Sequence, residues 1–312
     1  MRCALGAGLL AGLACASAHA ANDYALQPDA LGDGVYVFVG RTEQFSRDNG
    51  GNIANSGFIV GPEGTIVIDT GPSRLYGEQQ RAAIARLTSR KVVQVYITHA
   101  HPDHFLGNQA YPADLIAALP ATVASIRSTG EALSDNLYRL VGGWMSGTQV
   151  VVPGAAASPG AVTIGGRKLR LIAASGHTDG DLMVYDEASK ALFTGDLVFF
   201  QRAPTTPNAD LPRWLGALDE IDRLDFKVLV PGHGPVQRDH AGIAQTRDYL
   251  RWLSATLHDA ANRGLDMPEV MNLPLPERFK NLPVAGAEYT RSVVHLYPQI
   301  ELDSLPRVGE RP

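Results

Sequence analysis

Histidine and carboxylate side chains crowd into one short segment, Thr98-His99-Ala100-His101-Pro102-Asp103-His104. Imidazole and carboxylate at this density form a donor set for a divalent metal such as zinc, iron or manganese. The apolar run Val92 to Thr98 precedes them and reads as a strand. Alternate side chains of an extended segment point the same way, so His99 and His101 converge on one ion. Pro102 keeps the chain extended at His101 and then starts a helix, which turns Asp103 and His104 toward a second ion close by.

Three further motifs offer the same chemistry: Ser175-Gly176-His177-Thr178-Asp179-Gly180-Asp181, Phe193-Thr194-Gly195-Asp196 and Val230-Pro231-Gly232-His233-Gly234. A lone His or Asp after a strand is more often a turn residue than a ligand. Here the order of the motifs and their shared place at strand ends make the set, and five of the nine histidines fall within it.

Composition narrows the setting. The chain has 312 residues, 45% of them hydrophobic, enough for a large core. The net charge is -5 with no basic block, which argues against a nucleic-acid groove or an anionic membrane surface as partner; the partner expected is a small-molecule substrate. Residues 1–20 read as a secretory signal peptide: Arg2, an Ala/Gly/Leu run over 4–16, and Ala18-His19-Ala20 as a cleavage site. Cleavage after Ala20 implies a periplasmic or secreted protein; lipidation at Cys15 is the alternative. The apolar run is too short to span a bilayer. The only cysteines, Cys3 and Cys15, lie in this segment. The mature chain then has no disulfide, thiolate ligand or Cys nucleophile, and its metal chemistry must use nitrogen and oxygen.

The remaining elements must position these motifs. Strands are expected at 35–39, 57–60, 65–68, 92–98, 150–152, 169–172, 182–185, 191–194 and 228–230. Helices are expected at 77–88, 128–141, 212–222, 240–261 and 289–300. Each half shows strands followed by helices, the pattern of an α/β protein built as a four-layer αββα sandwich. Residues 21–312 read as one domain with a C-terminal helical extension, and the Pro-rich stretch 262–288 as a surface excursion. Trp144, Trp214 and Trp252 fit helical core positions.

From Leu31 to about Tyr249 the motifs together resemble the metallo-β-lactamase-fold hydrolase superfamily. The resemblance implies that His99, His101 and His177 bind a first metal, that Asp103, His104 and His233 bind a second, and that Asp196 bridges both, a site for two zinc ions, with iron or manganese possible. Asp69 in Val67-Ile68-Asp69-Thr70-Gly71 matches a supporting position of the family, and a strand-end turn residue is the other reading. A bridging Asp resembles the glyoxalase-II, lactonase and sulfatase-like branches, whereas the His99, His101, Asp103, His104 set resembles the all-histidine, class B3-like β-lactamases. More narrowly, the stretch Gly51 to Gly61, Ile68 to Arg74 and Arg202 to Asp210 look like periplasmic zinc metallohydrolases of quinoprotein relay systems.

Such a centre lowers the pKa of a bridging water and supplies hydroxide near neutral pH, with Asp103 as the catalytic proton shuttle. The expected activity is hydrolysis of an ester, thioester or lactone-like carbonyl. The alternatives are a β-lactamase, a metal-bound accessory protein of a quinoprotein system, and an iron centre for redox chemistry. Asp179 and Asp181 read as solvated loop carboxylates, with a ligand-orienting role as the alternative. Phe45, Phe199, Phe200 and Arg202 are expected on the substrate rim, with Arg41 or Arg47 as further carboxylate partners; ordinary loop packing and surface charge is an equal reading of all of them.

Overall fold

The structure is a computed structural model and describes residues 22–305. The expected signal peptide and Cys15 lie outside the described residues.

Strands β1 (Asp29–Gly32), β2 (Val35–Phe38), β3 (Ser56–Val60) and β4 (Thr65–Ile68) form an antiparallel meander. Helix α1 (Arg74–Leu87) follows, and its N-cap Ser73 accepts a hydrogen bond from Tyr76 N. It crosses to β5 (Val92–Tyr96), parallel to β4. The short α2 (Pro102–Phe105) begins with proline at its first position. Next come β6 (Ile116–Ala118), α3 (Pro120–Val141) and β7 (Ala155–Ala156), which complete a seven-stranded sheet in sequential order.

The second sheet has the order β12-β11-β10-β9-β8, from β8 (Gly160–Ile164), β9 (Arg167–Ala174), β10 (Asp181–Asp186), β11 (Ala191–Phe199) and β12 (Val228–His233). Helix α4 (Leu211–Asp222) links β11 to β12, and α5 (Ala241–Asn262), α6 (Met267–Met271), α7 (Glu277–Lys280) and α8 (Ala285–Ser304) follow.

Strict alternation sorts the strand residues into layers. Ile66, Ile68 and Ile59 meet Leu182, Val184, Phe193, Val228 and Val230 in an apolar seam between the sheets. Their neighbours Val67 and Phe58 face outward onto α1 and α3, with Ile84, Ile126 and Leu137. On the other side Met183, Leu192 and Leu229 pack on α4, α5 and α8, with Trp214, Leu253 and Val293. This is the αββα sandwich expected.

Several expectations need correction. Val150 to Val152 form no strand; they are irregular, half-buried against the α1/α3 core, and pairing moves to Ala155–Ala156. Residues 262–288 are not a surface excursion. Asp266 and Glu269 form a capping box that starts α6, and Val270 and Phe279 are buried in the core. Helix α3 starts at Pro120, eight residues before the expected start, because proline suits the first helical turn. Strand β11 runs on through Asp196 to Phe199 rather than ending at Thr194. The hairpin β8–β9 was unforeseen, although Gly165-Gly166, both with positive φ, is a strong two-residue turn signal.

Candidate metal centre

All the ligand candidates meet at one edge of the sandwich. His99 and His101 follow β5 and Asp103 and His104 begin α2. His177 lies in the β9–β10 loop, Asp196 in β11, and His233 closes β12. Two groups emerge, His99/His101/His177/Asp196 and Asp103/His104/His233, with ligand atoms in each within 4.8 Å of one another.

The arrangement inside the first group is informative. His101 Nδ1 lies 3.1 Å from His99 Nε2 and 2.9 Å from His177 Nε2. Three nitrogens bound tetrahedrally to one zinc would stand about 3.3 Å apart. Asp196 reaches both groups: Oδ2 is 3.3 Å from His177 Nε2 and 3.2 Å from His233 Nε2, and Oδ1 is 3.1 Å from His104 Nε2. Asp103 Oδ2 is 3.4 Å from His233 Nε2.

The outward nitrogens fix the tautomers. His101 Nε2 has Asn208 Oδ1 at 3.1 Å, His104 Nδ1 has Asp69 Oδ2 at 2.8 Å, and His233 Nδ1 has the Ile53 carbonyl at 2.8 Å. His99 Nδ1 lies 3.0 Å from Thr98 Oγ1, which itself donates to Asp69 Oδ2 at 2.8 Å. Each of these rings can therefore donate outward, which leaves its inward nitrogen as a lone pair. Among the described residues, the inward atoms His104 Nε2 and Asp196 Oδ1 are buried without a hydrogen-bond partner. Converging lone pairs with no shared proton are destabilising unless a cation sits among them. The residues thus fit a metal centre.

Burial pushes His99, His101 and His177 below the usual imidazole range, which favours the neutral, ligating form.

Backbone geometry aims the ligands. Gly195 takes φ 52, and a side chain there would meet Thr98. A Cβ on Gly232 would lie 1.9 Å from Asp196 Oδ1. Asn55 donates to the carbonyls of Pro231 and Gly234, both at 2.8 Å, and so clamps the His233 loop. Asp69, of the two readings left open, is a ligand support: it is buried and serves His104 and Thr98. Asp181 also overturns its default reading as a solvated carboxylate. Its Oδ2 accepts from His177 N and Thr178 N and its Oδ1 from Thr178 Oγ1, while burial pushes its carboxyl up to about 7. Asp179 is exposed.

A cleft of about 370 Å³ opens over Asp103, Asp196, His101 and His233. Phe45 lines it, and so does Arg202, although the latter is only 1% exposed. Phe199 and Phe200 do not stand on the rim. Phe199 is fully buried, because the continued β11 carries its ring beneath the site, stacked 5.1 Å from His233 at 7°. Phe200 donates its N–H to His233 O and packs toward Gly242. Arg41 and Arg47 are exposed and lie outside the cleft. Of the tryptophans, Trp214 is fully buried with its ring 4.9 Å from His177, whereas Trp144 and Trp252 are half-buried.

Sequence reasoning missed Asn55, Asn208 and the cleft wall from α3 and α8, with Leu133, Leu140, Arg291 and His295. Asn55 and Asn208 carry no local signal, since each lies far in sequence from the residue it supports.

Residues 49–233 match the family model described as the metallo-beta-lactamase superfamily. The chain is 28% identical over 239 residues to the acyl-coenzyme A thioesterase MBLAC2 of Bos taurus, covering 65% of this chain and 79% of that protein. It is 22% identical over 288 residues to a linear primary-alkylsulfatase of a Pseudomonas species, covering 78% of this chain and 54% of that protein. Among solved structures, a metallo-beta-lactamase from Pontibacter korlensis has a similar fold, with TM-score 0.57 and 23% identity over 72% of this chain and 99% of that one.

Proposed function

This chain belongs to the metallo-beta-lactamase superfamily, and from that premise we propose that it is an exported hydrolase with two zinc ions that cleaves an ester, thioester or lactone-like carbonyl. One observation carries the reading: four histidines have oxygen acceptors at their outward nitrogens, so that in the neutral rings the inward nitrogens face Asp196 or Asp103 as lone pairs. His99, His101 and His177 would hold one ion, Asp103, His104 and His233 the other, with Asp196 between them. Bound there, zinc supplies Lewis-acid polarisation of a carbonyl and a lowered pKa for water.

The chain's own residues do the rest. Asp103 lines the cleft and is nearly buried, so its carboxylate is placed to take a proton and return it to the leaving group. Asp69, Asn208, Thr98 and the Ile53 carbonyl hold the imidazoles in one tautomer. Phe45, Ile53, Leu133 and Leu140 give the cleft an apolar lining for the carbon part of a substrate.

The thioesterase relative supports the thioester, and an Asp at position 196 supports the glyoxalase-II-like branch over the antibiotic hydrolases. Turnover of 4-nitrophenyl acetate and acetyl-thiocholine, lost with a chelator and regained with zinc, is the expected result; turnover that survives full chelation would refute the reading. A chromogenic cephalosporin is expected to be inert. Export rests on residues 1–20, and the mature N-terminus is expected at Ala21. A quinoprotein setting rests on the segments 51–61, 68–74 and 202–210. It predicts that capture of such a partner persists in Asp196→Ala after hydrolysis is lost.

A further inference from the structure

One wall of the cleft is organised by a buried carboxylate on α8. Glu288 is fully buried, yet its Oε1 receives Gln44 Nε2 at 2.6 Å and lies 3.5 Å from Arg202 Nη2 and 3.8 Å from Arg291 Nη1. Its Oε2 has no partner among the described residues. Two guanidinium groups thus share one carboxylate, and both separations exceed the 2.7–2.9 Å typical of a strong charge-assisted hydrogen bond. The group of Arg202, Arg291 and Glu288 carries a surplus of one positive charge, with Arg291 open to solvent.

The two arginines differ in reach. Arg202 is buried, donates to Ala203 O and Thr205 Oγ1, and stands 5.8 Å from the Phe199 ring behind His233. Arg291 keeps 37% of its side chain exposed. It makes one hydrogen bond, a long one of 3.5 Å to Gln44 Oε1, among the described residues. A guanidinium offers five N–H donors, so most of its donors face the cleft or solvent. His295 is four residues further along α8, on the same helix face, and also lines the cleft.

Resting on the hydrolytic reading above, we infer that Arg291 and His295, with Arg202 buried behind them, form a recognition site for an oxyanion that the substrate carries away from the scissile bond. Glu288 and Gln44 are positioning residues: they hold Arg291 without neutralising it. The same cleft presents Phe45, Leu133 and Leu140. The substrate class is therefore an amphiphilic ester or thioester with an apolar body and a carboxylate, phosphate or sulfate group.

The test uses the metal-loaded mature protein and two matched ester pairs. One pair places the charge on the acyl part: the 4-nitrophenyl monoester of glutarate against its methyl diester. The other places it on the leaving group: 4-acetoxybenzoate against its methyl ester. We expect kcat/KM to favour the anionic member of one pair by about tenfold, the scale of one charged hydrogen bond. The preference should lie mostly in KM. It should vanish in Arg291→Met, return in part in Arg291→Lys, and fade at high salt. Which pair responds assigns the oxyanion to the acyl or the leaving side. Preference for neither anion, or a preference unchanged in Arg291→Met, would overturn the inference. Calorimetric titration with glutarate needs no turnover. Binding that weakens in Arg291→Met would uphold the oxyanion site even if none of the esters were hydrolysed, and binding insensitive to Arg291 would count against it.

Discussion

Asp69 Oδ2 accepts a hydrogen bond from His104 Nδ1 at 2.8 Å, while Asp69 Oδ1 accepts from Thr98 N at the same distance. One buried carboxylate therefore joins the end of β5 to the start of α2, the two places from which the first ligands come. Asp69 sits at φ 60, a conformation that Asp and Asn tolerate better than most residues. Asp69→Asn consequently keeps the backbone and removes the charge. Metal affinity of that variant should fall about 10–100-fold, the usual cost of losing a partner behind a ligand. Competition against a chromophoric chelator measures it, and unchanged affinity would show that His104 needs no such support.

Gly232→Ala is a probe of the bridging carboxylate. Its new Cβ would lie 1.9 Å from Asp196 Oδ1 and 2.7 Å from Asp196 N, so Asp196 must move. We expect a protein that has lost bound metal at one or both positions. Metal analysis after dialysis checks this, and full occupancy in Gly232→Ala would contradict the geometry.

Much of the site was legible in the sequence because a cysteine-free site for a divalent metal draws on imidazole and carboxylate side chains, and here these stand in short motifs at strand ends. The segment from His99 to His104 pointed to a metal site through period-two alternation followed by a proline-started turn. The supporting shell was less legible. Asn208 serves His101 across 107 residues, and Asn55 clamps the His233 loop across more than 170, so neither pairing leaves a local pattern. Phe199 was misread for a different reason. Gly195 bends β11 without ending it, and the strand carries Phe199 beneath His233 rather than onto the rim. The capping box at Asp266 and Glu269 was visible in the sequence, but the prolines around it suggested a loop.

Asp181 stabilises the loop that carries His177. Asp181→Ala would leave His177 N, Thr178 N and Thr178 Oγ1 without their acceptor. The expected cost is about 1–3 kcal/mol. Each kcal/mol corresponds to a fall in Tm of roughly 2–4 °C in a chain of this order of size. Thermal unfolding with and without zinc should show a larger loss in the metal-loaded form, because the same loop aims His177. A Tm unchanged from the parent protein would assign Asp181 no structural role.

Metal removal alone should destabilise the fold. With free metal at a hundred times its dissociation constant, binding to the native state contributes about 2.7 kcal/mol. Chelation is expected to lower Tm by roughly 5–10 °C, and added zinc to restore it. Calorimetry in the two conditions is the check.

Seven side chains are proposed to hold two ions, His99, His101 and His177 one, Asp103, His104 and His233 the other, with Asp196 shared. The most direct measurement is the metal-to-protein ratio of the dialysed mature protein, compared with that of His233→Ala. Two ions per chain are expected in the parent protein and one in the variant, since His233 belongs to the Asp103/His104 group and leaves His99, His101 and His177 intact. A ratio of one or less in the parent protein, or a ratio unaffected by His233→Ala, would contradict it.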